Sequence, residues 1–252
     1  MFTHNIDPIL FSSGIITIRW YGILLALGIG LAILITRYFF KKEKLQPEIV
    51  YELAFYMTIG LIIGARLGYI LFYNLDYYIN NPAAIIKIWE GGLSSHGATM
   101  GLLVAYTIFY LVQKKQDKNL KFYKYADLIV ISFPIVAACV RIGNYINNEI
   151  LGRVMSDGAN RHPVTLYEAL SNIIIFIILF LTYKYYKNKK PYFMVFFFVF
   201  IYFTSRFGLE FFKEYQIFSN GLTMGQWLSI LPIIISLIYF IYIFFKKNRD
   251  NS

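Results

Sequence analysis

Apolar stretches alternate with short polar connections along the whole chain. A bilayer core about 30 Å thick is spanned by about 20 apolar residues in a helix. Residues 18–40, 50–72, 97–112, 126–140, 164–183, 191–212 and 222–245 each approach that length, and together they predict seven transmembrane helices. The connections differ in charge. Lys41-Lys42-Glu43-Lys44, residues 114–124, residues 184–190 and the tail 246–249 carry lysine clusters and occupy alternate connections. Basic loops stay on the cytoplasmic side, so seven crossings put the N-terminus outside and the C-terminus in the cytoplasm. Residues 73–95, 141–163 and 213–221 then form the outer connections. The expected fold is an all-α, polytopic integral membrane protein, with residues 1–252 as a single transmembrane domain.

Composition agrees with this pattern. The 252 residues are 58% hydrophobic and only 15% charged, far from the balance of a soluble domain, and the mean hydropathy is +0.55. A net charge of +10 would suit nucleic acid. The lysines, however, sit beside apolar runs, where charges set topology, so no nucleic-acid partner is expected. Cys139 is the single cysteine and lies in an apolar run; it forms neither a disulfide framework nor a thiol metal site and reads as a small core residue. The first 14 residues hold Asp7 but no lysine or arginine, and no small-residue cleavage pattern follows the first run, which predicts a retained helix. Gly60, Gly64 and Gly68 are spaced four apart and predict a face for close helix packing, with a narrow lipid crevice as the alternative. Internal repeats of the kind that build transporters are not evident.

Charge in a membrane span is costly, at least about 2.5 kcal/mol for an arginine at a helix centre, so such residues usually have a task. Arg66, Arg141, Arg206 and His96 meet that description. For Arg206 the spacing leaves two readings level: Glu210, four residues on, is placed to neutralise it, or its charge serves a ligand. Arg141 ends the fourth run and opens Arg141-Ile142-Gly143-Asn144-Tyr145-Ile146-Asn147-Asn148-Glu149-Ile150-Leu151-Gly152-Arg153. So dense a polar set exceeds the needs of a simple loop, although a re-entrant segment would also use Asn and Gly to satisfy its backbone. Guanidinium groups at headgroup depth suit phosphate, because their planar fork donates paired hydrogen bonds and stays charged. His96 reads equally as a proton acceptor and as an interhelical hydrogen-bonder. His162 precedes Pro163, where capping and loop geometry suffice to explain it. His4 is the remaining histidine, so no histidine and carboxylate set marks a metal site.

The run from Arg141 to Glu149 with Gly152-Arg153 closely resembles the signature of the prolipoprotein diacylglyceryl transferase family. The resemblance extends in order through Arg19-Trp20-Tyr21-Gly22, Gly64-Ala65-Arg66-Leu67-Gly68-Tyr69 and Gly91-Gly92-Leu93-Ser94-Ser95-His96-Gly97. It continues with Arg161-His162-Pro163, Leu166-Tyr167-Glu168, Arg206-Phe207-Gly208-Leu209-Glu210-Phe211-Phe212 and Met224-Gly225-Gln226. Asn148 stands where many members have a smaller residue, and Lys213 where some have arginine.

The resemblance implies an enzyme of the bacterial cytoplasmic (inner) membrane that transfers the sn-1,2-diacylglyceryl group of phosphatidylglycerol to the lipobox cysteine of a preprolipoprotein signal peptide. Glycerol 1-phosphate leaves and a thioether forms. By the same resemblance Arg141 and Arg206 stabilise charge on the leaving phosphate, and His96 is the candidate base for the substrate thiol. Tyr21, Asn144 and Glu149 orient substrate, Gly152 gives backbone freedom, and Arg66 and Glu210 stand in support. No cofactor or metal is expected, and the expected partners are phosphatidylglycerol, signal peptides and membrane lipid, with the protein a monomer. Two other classes compete: an anionic-lipid transporter or flippase, and a purely structural membrane protein. Neither gives a use to the polar run from Arg141 to Arg153.

Overall fold

The computed structural model describes residues 6–14, 16–88, 91–156, 158, 160–186, 190–214 and 221–250. His4, residues 187–189 of the third lysine cluster and residues 215–220 of the last outer connection lie outside the described residues.

Helices form where the apolar runs predict them. They are α1 (Trp20–Lys42), α2 (Ile49–Tyr73), α3 (Leu75–Asn80), α4 (Ser95–Gln116), α5 (Phe122–Ile129), α6 (Phe133–Ile146), α7 (Val164–Tyr185), α8 (Phe193–Leu209) and α9 (Met224–Asp250). Among the described residues five helical stretches, α1, α2, α7, α9 and α8 with its extension to Phe212, are long and apolar enough to cross a membrane. The pair α5 and α6 makes a sixth if counted as one broken span. Large apolar side chains such as Leu34, Phe55, Leu170, Leu231 and Ile238 are exposed along these helices, as they are where lipid replaces water. The protein is an all-α, polytopic membrane protein.

Two expectations are corrected. The first span begins later than residue 18, because Ile16–Arg19 forms strand β2, which pairs antiparallel with β1 (Ile9–Ser13). The fourth run is two helices that meet at a 42° bend. Pro134 lies in the first turn of α6, where it supplies no N–H to the preceding turn. Ser132 at the break donates its hydroxyl to the Ile129 carbonyl (2.8 Å). Arg141 therefore does not end a span: α6 continues to Ile146 and carries Arg141 and Asn144 on one face, three residues apart. The third run becomes α4, with 22 residues, but its glycines, Ser95, His96 and Gln113 leave it outside the set of helices apolar enough to cross.

The chain packs as two compact units, residues 1–39 with 123–252, and residues 40–122. In the larger unit α6 packs on α7, α7 on α8 and α8 on α9. Cys139 is buried on α6, against Gly28 of α1. Asp127 of α5 accepts from the backbone N–H groups of Tyr192 (2.9 Å) and Val195 (3.0 Å), placing a carboxylate at the start of α8. At the start of α9, Thr223 and Gln226 form a reciprocal capping box: the Thr223 N–H donates to Oε1 of Gln226, and the Gln226 N–H donates to Oγ1 of Thr223.

In the smaller unit α2 packs on α4. The glycine stripe is the contact. A Cβ at Gly64 would lie 2.6 Å from the Gly101 Cα, and one at Gly97 would lie 2.7 Å from the Gly68 Cα. The spacing thus serves backbone approach between helices, not a lipid crevice.

Candidate active site in the larger unit

Arg141, Glu168, Ser171, Asn172, Tyr202, Ser205, Arg206 and Leu209 line one small cavity formed by α6, α7 and α8. Each helix brings its residues there by turn spacing. On α7, Glu168 and Asn172 are one turn apart; on α8, Tyr202, Ser205, Arg206 and Leu209 share a face. Ser171 and Ser205 join the two helices through their hydroxyls.

A chain of polar contacts runs through the site. Nζ of the buried Lys213 lies 2.9 Å from Glu210 Oε2 and 2.8 Å from Glu168 Oε1. Glu168 Oε2 lies 3.0 Å from Nε of Arg141. Arg141 also donates through Nη1 to Asn144 Oδ1 (3.4 Å). Asn144 in turn donates to Glu149, which accepts from Asn147 as well (3.0 Å). Glu168, Glu210 and Lys213 are each at most 5% exposed, and removing one partner from a buried pair generally costs about 3–5 kcal/mol.

Arg206 stands outside this chain. Among the described residues its side chain has neither a hydrogen bond nor an ion pair, and its Nε is buried without a partner. The neutralisation by Glu210 that the four-residue spacing allows does not occur, because the Glu210 carboxylate is held by Lys213. Among the described residues Arg141 uses Nε and Nη1 and has no acceptor on Nη2. The charged groups that line the cavity are Arg141, Arg206 and Glu168, which leave one positive charge in excess there. A cationic cavity with a buried donor that lacks a partner, Nε of Arg206, suits an anion chemically.

The other expected residues fall in several places. Tyr21, in the first turn of α1, packs on Gly143, where a Cβ would meet its ring at 2.8 Å, and lies within electrostatic reach of Glu149 and Arg141. Gly152 does not have a positive φ; a Cβ there would collide with the His162 carbonyl and lie 2.8 Å from Val164 Cγ2, so close backbone approach is what requires glycine. Its neighbour Arg153 donates its N–H to Phe212 (2.8 Å) and its Nε to the Lys213 carbonyl (3.1 Å), tying the outer segment to the end of α8. His162 caps no helix through its side chain; its ring packs at 5.1 Å from that of Phe212, and Nδ1 lies 3.4 Å from the Tyr167 hydroxyl.

Arg66 and His96 belong to the smaller unit. Arg66 is buried and uses all five of its N–H groups on backbone carbonyls: Ile85 (2.9 Å), Gly91 (2.6 Å), Gly92 (3.2 Å), Ala84 (2.6 Å) and Lys87 (3.1 Å). No donor remains for a headgroup, so Arg66 serves to hold the carbonyls of Ala84, Ile85, Lys87, Gly91 and Gly92 rather than to bind substrate. His96 is exposed in the first turn of α4.

Sequence reasoning missed Glu168, Asn172, Tyr202, Ser205 and Lys213. The signal for Glu168 was available: a carboxylate one turn into an apolar helix needs a partner.

The larger unit is a helical membrane unit in which two arginines line one cationic cavity. Comparison with known proteins narrows the class. The prolipoprotein diacylglyceryl transferase family matches residues 8–242. The chain is 35% identical to the phosphatidylglycerol--prolipoprotein diacylglyceryl transferase of Francisella tularensis subsp. holarctica, covering 98% of this chain and 97% of that protein. It is 37% identical to the protein of the same name from Tolumonas auensis, covering 90% and 91%. The chain belongs to the prolipoprotein diacylglyceryl transferase family, and it is an enzyme of the transferase class.

Proposed function

We propose that this enzyme transfers the sn-1,2-diacylglyceryl group of phosphatidylglycerol to the lipobox cysteine thiol of a preprolipoprotein, at the outer face of a bacterial cytoplasmic membrane. The observation that carries the reading is the cavity shared by Arg141 and Arg206, whose single excess positive charge matches the single negative charge of a phosphodiester. Substrate sulfur attacks the glyceryl carbon, the carbon–oxygen bond to phosphate breaks, and the thiol proton leaves with a base. Glycerol 1-phosphate departs. Charge grows on the leaving phosphate, where aimed donors shielded from water are most effective.

Arg206 supplies a charge that forms no ion pair among the described residues. Arg141 is oriented by Glu168 and Asn144, which leaves its outer amino group for a phosphate oxygen. Asn144, Glu149 and Tyr21 position the headgroup or the thiol at the outer side of the cavity. His96 is proposed as the proton acceptor because a free thiol, with a pKa of about 8.5, is mostly protonated at neutral pH. The chemistry calls for no metal or organic cofactor, since both reacting groups belong to the substrates. Seven crossings with the N-terminus outside are supported by the last-turn lysines of α1, α4 and α7, which recur at every second crossing.

The test is mass spectrometry of a lipobox peptide incubated with the purified protein and phosphatidylglycerol. A diacylglyceryl adduct is expected on the cysteine peptide and not on its serine counterpart. A folded protein that yields neither adduct nor glycerol 1-phosphate refutes the reaction. His96→Gln protein with near-normal turnover removes His96 from the role of base while leaving the reaction standing.

A further inference from the structure

We propose that Lys213 is a positioning residue for the transfer reaction: it holds the Glu210 carboxylate so that Arg206 keeps its charge and donors for the substrate. The inference rests on the reading of Arg206 as a phosphate ligand and adds the reason that Arg206 is free to be one.

Arg206 and Glu210 are one helical turn apart, and the Glu210 N–H donates to the Arg206 carbonyl. Opposite charges at that spacing attract each other even on an exposed helix, and the attraction strengthens where water is excluded. Left alone, Glu210 would be a permanent counter-ion for Arg206. Three features prevent this. The α-helix gives way to a 3-10 helix at Glu210–Phe212, which changes the direction in which the Glu210 side chain leaves the backbone. Lys213, three residues on and only 3% exposed, sets its ammonium 2.9 Å from that carboxylate. Gly225, in the first turn of α9, leaves the space the carboxylate occupies, since a Cβ there would lie 2.8 Å from Oε2.

Lys213 is itself fixed. Its ammonium is shared with Glu168 at 2.8 Å, and its backbone pairs with Gly152 and accepts from Nε of Arg153. The outer segment and the end of α8 thus lock the lysine to both carboxylates. Lys213 touches no reacting atom in this account; its effect passes through Glu210 to Arg206.

The experiment measures KM for phosphatidylglycerol in detergent micelles with a lipobox peptide as acceptor. Lys213→Met should raise that KM about tenfold or more, as Glu210 turns to Arg206. The conservative Lys213→Arg should stay within about threefold of the unmodified enzyme. Made in a Glu210→Gln background, Lys213→Met should change KM by less than about threefold, because no carboxylate is left to capture Arg206. If Lys213→Met alone does not fold, the comparison within the Glu210→Gln background decides by itself. An unchanged KM in the Lys213→Met enzyme overturns the proposal. So does an equally large loss in both backgrounds, which marks a purely structural lysine. Arg206→Ala enzyme with an unaltered KM would instead overturn the phosphate reading on which the proposal rests.

Discussion

Arg66 and Arg206 are both arginines flanked by apolar residues, and their sequence settings do not tell them apart. Arg66 satisfies every N–H on five carbonyls between Ala84 and Gly92 and stacks 5.0 Å from the Tyr78 ring. Arg206 satisfies none among the described residues. The first is therefore structural and the second available. Arg66→Met should strip the donors from those buried carbonyls and destabilise the fold by at least about 3 kcal/mol, given about 1–3 kcal/mol for each buried polar group left unpaired. Thermal unfolding in detergent reads the effect, and an unchanged midpoint would contradict it. Arg141, Arg206, Asn144 and Glu149 were legible as a polar set because each is anomalous beside apolar residues. The pairing of Glu168 with Lys213 was not, since it links residues 45 positions apart in sequence, a distance that local spacing does not cover.

Helix positions were readable from apolarity alone, while helix ends and breaks were not. The break between α5 and α6 arises from Ser132 and Pro134 inside an otherwise apolar run, and hydropathy does not register it. The same applies to the extra turns of α6 beyond Arg141, whose polar side chains resemble a loop by composition yet remain helical because each finds a partner across or along the helix. The glycine stripe was legible as a packing face, though its partners Gly97 and Gly101 on α4 were visible only in the structure. Gly64→Leu is expected to force α2 and α4 apart and to cost about 3 kcal/mol or more, at the upper end for overpacking. Equal thermal stability of the substituted and unmodified proteins would show that the stripe is not the contact that matters.

At the scale of the whole molecule, the arrangement proposed here puts catalysis on the outer face and the lysine clusters on the cytoplasmic face. The single cysteine makes this testable, because Cys139→Ala gives a thiol-free background that should retain activity, the reacting sulfur being the substrate's. In that background, Asn148→Cys should react with an impermeant maleimide added outside, and Lys118→Cys only after the membrane is opened. The reverse pattern would invert the topology. The central claim, that two guanidinium groups in one cavity hold the departing phosphate, is tested most directly by the initial rate of glycerol 1-phosphate release from phosphatidylglycerol by folded Arg141→Lys and Arg206→Lys enzymes. Lysine keeps the charge but loses the planar fork, and each rate should fall about a hundredfold, as when one aimed donor is lost from a charge-stabilising site. Rates within about twofold of the unmodified enzyme for both would contradict the account.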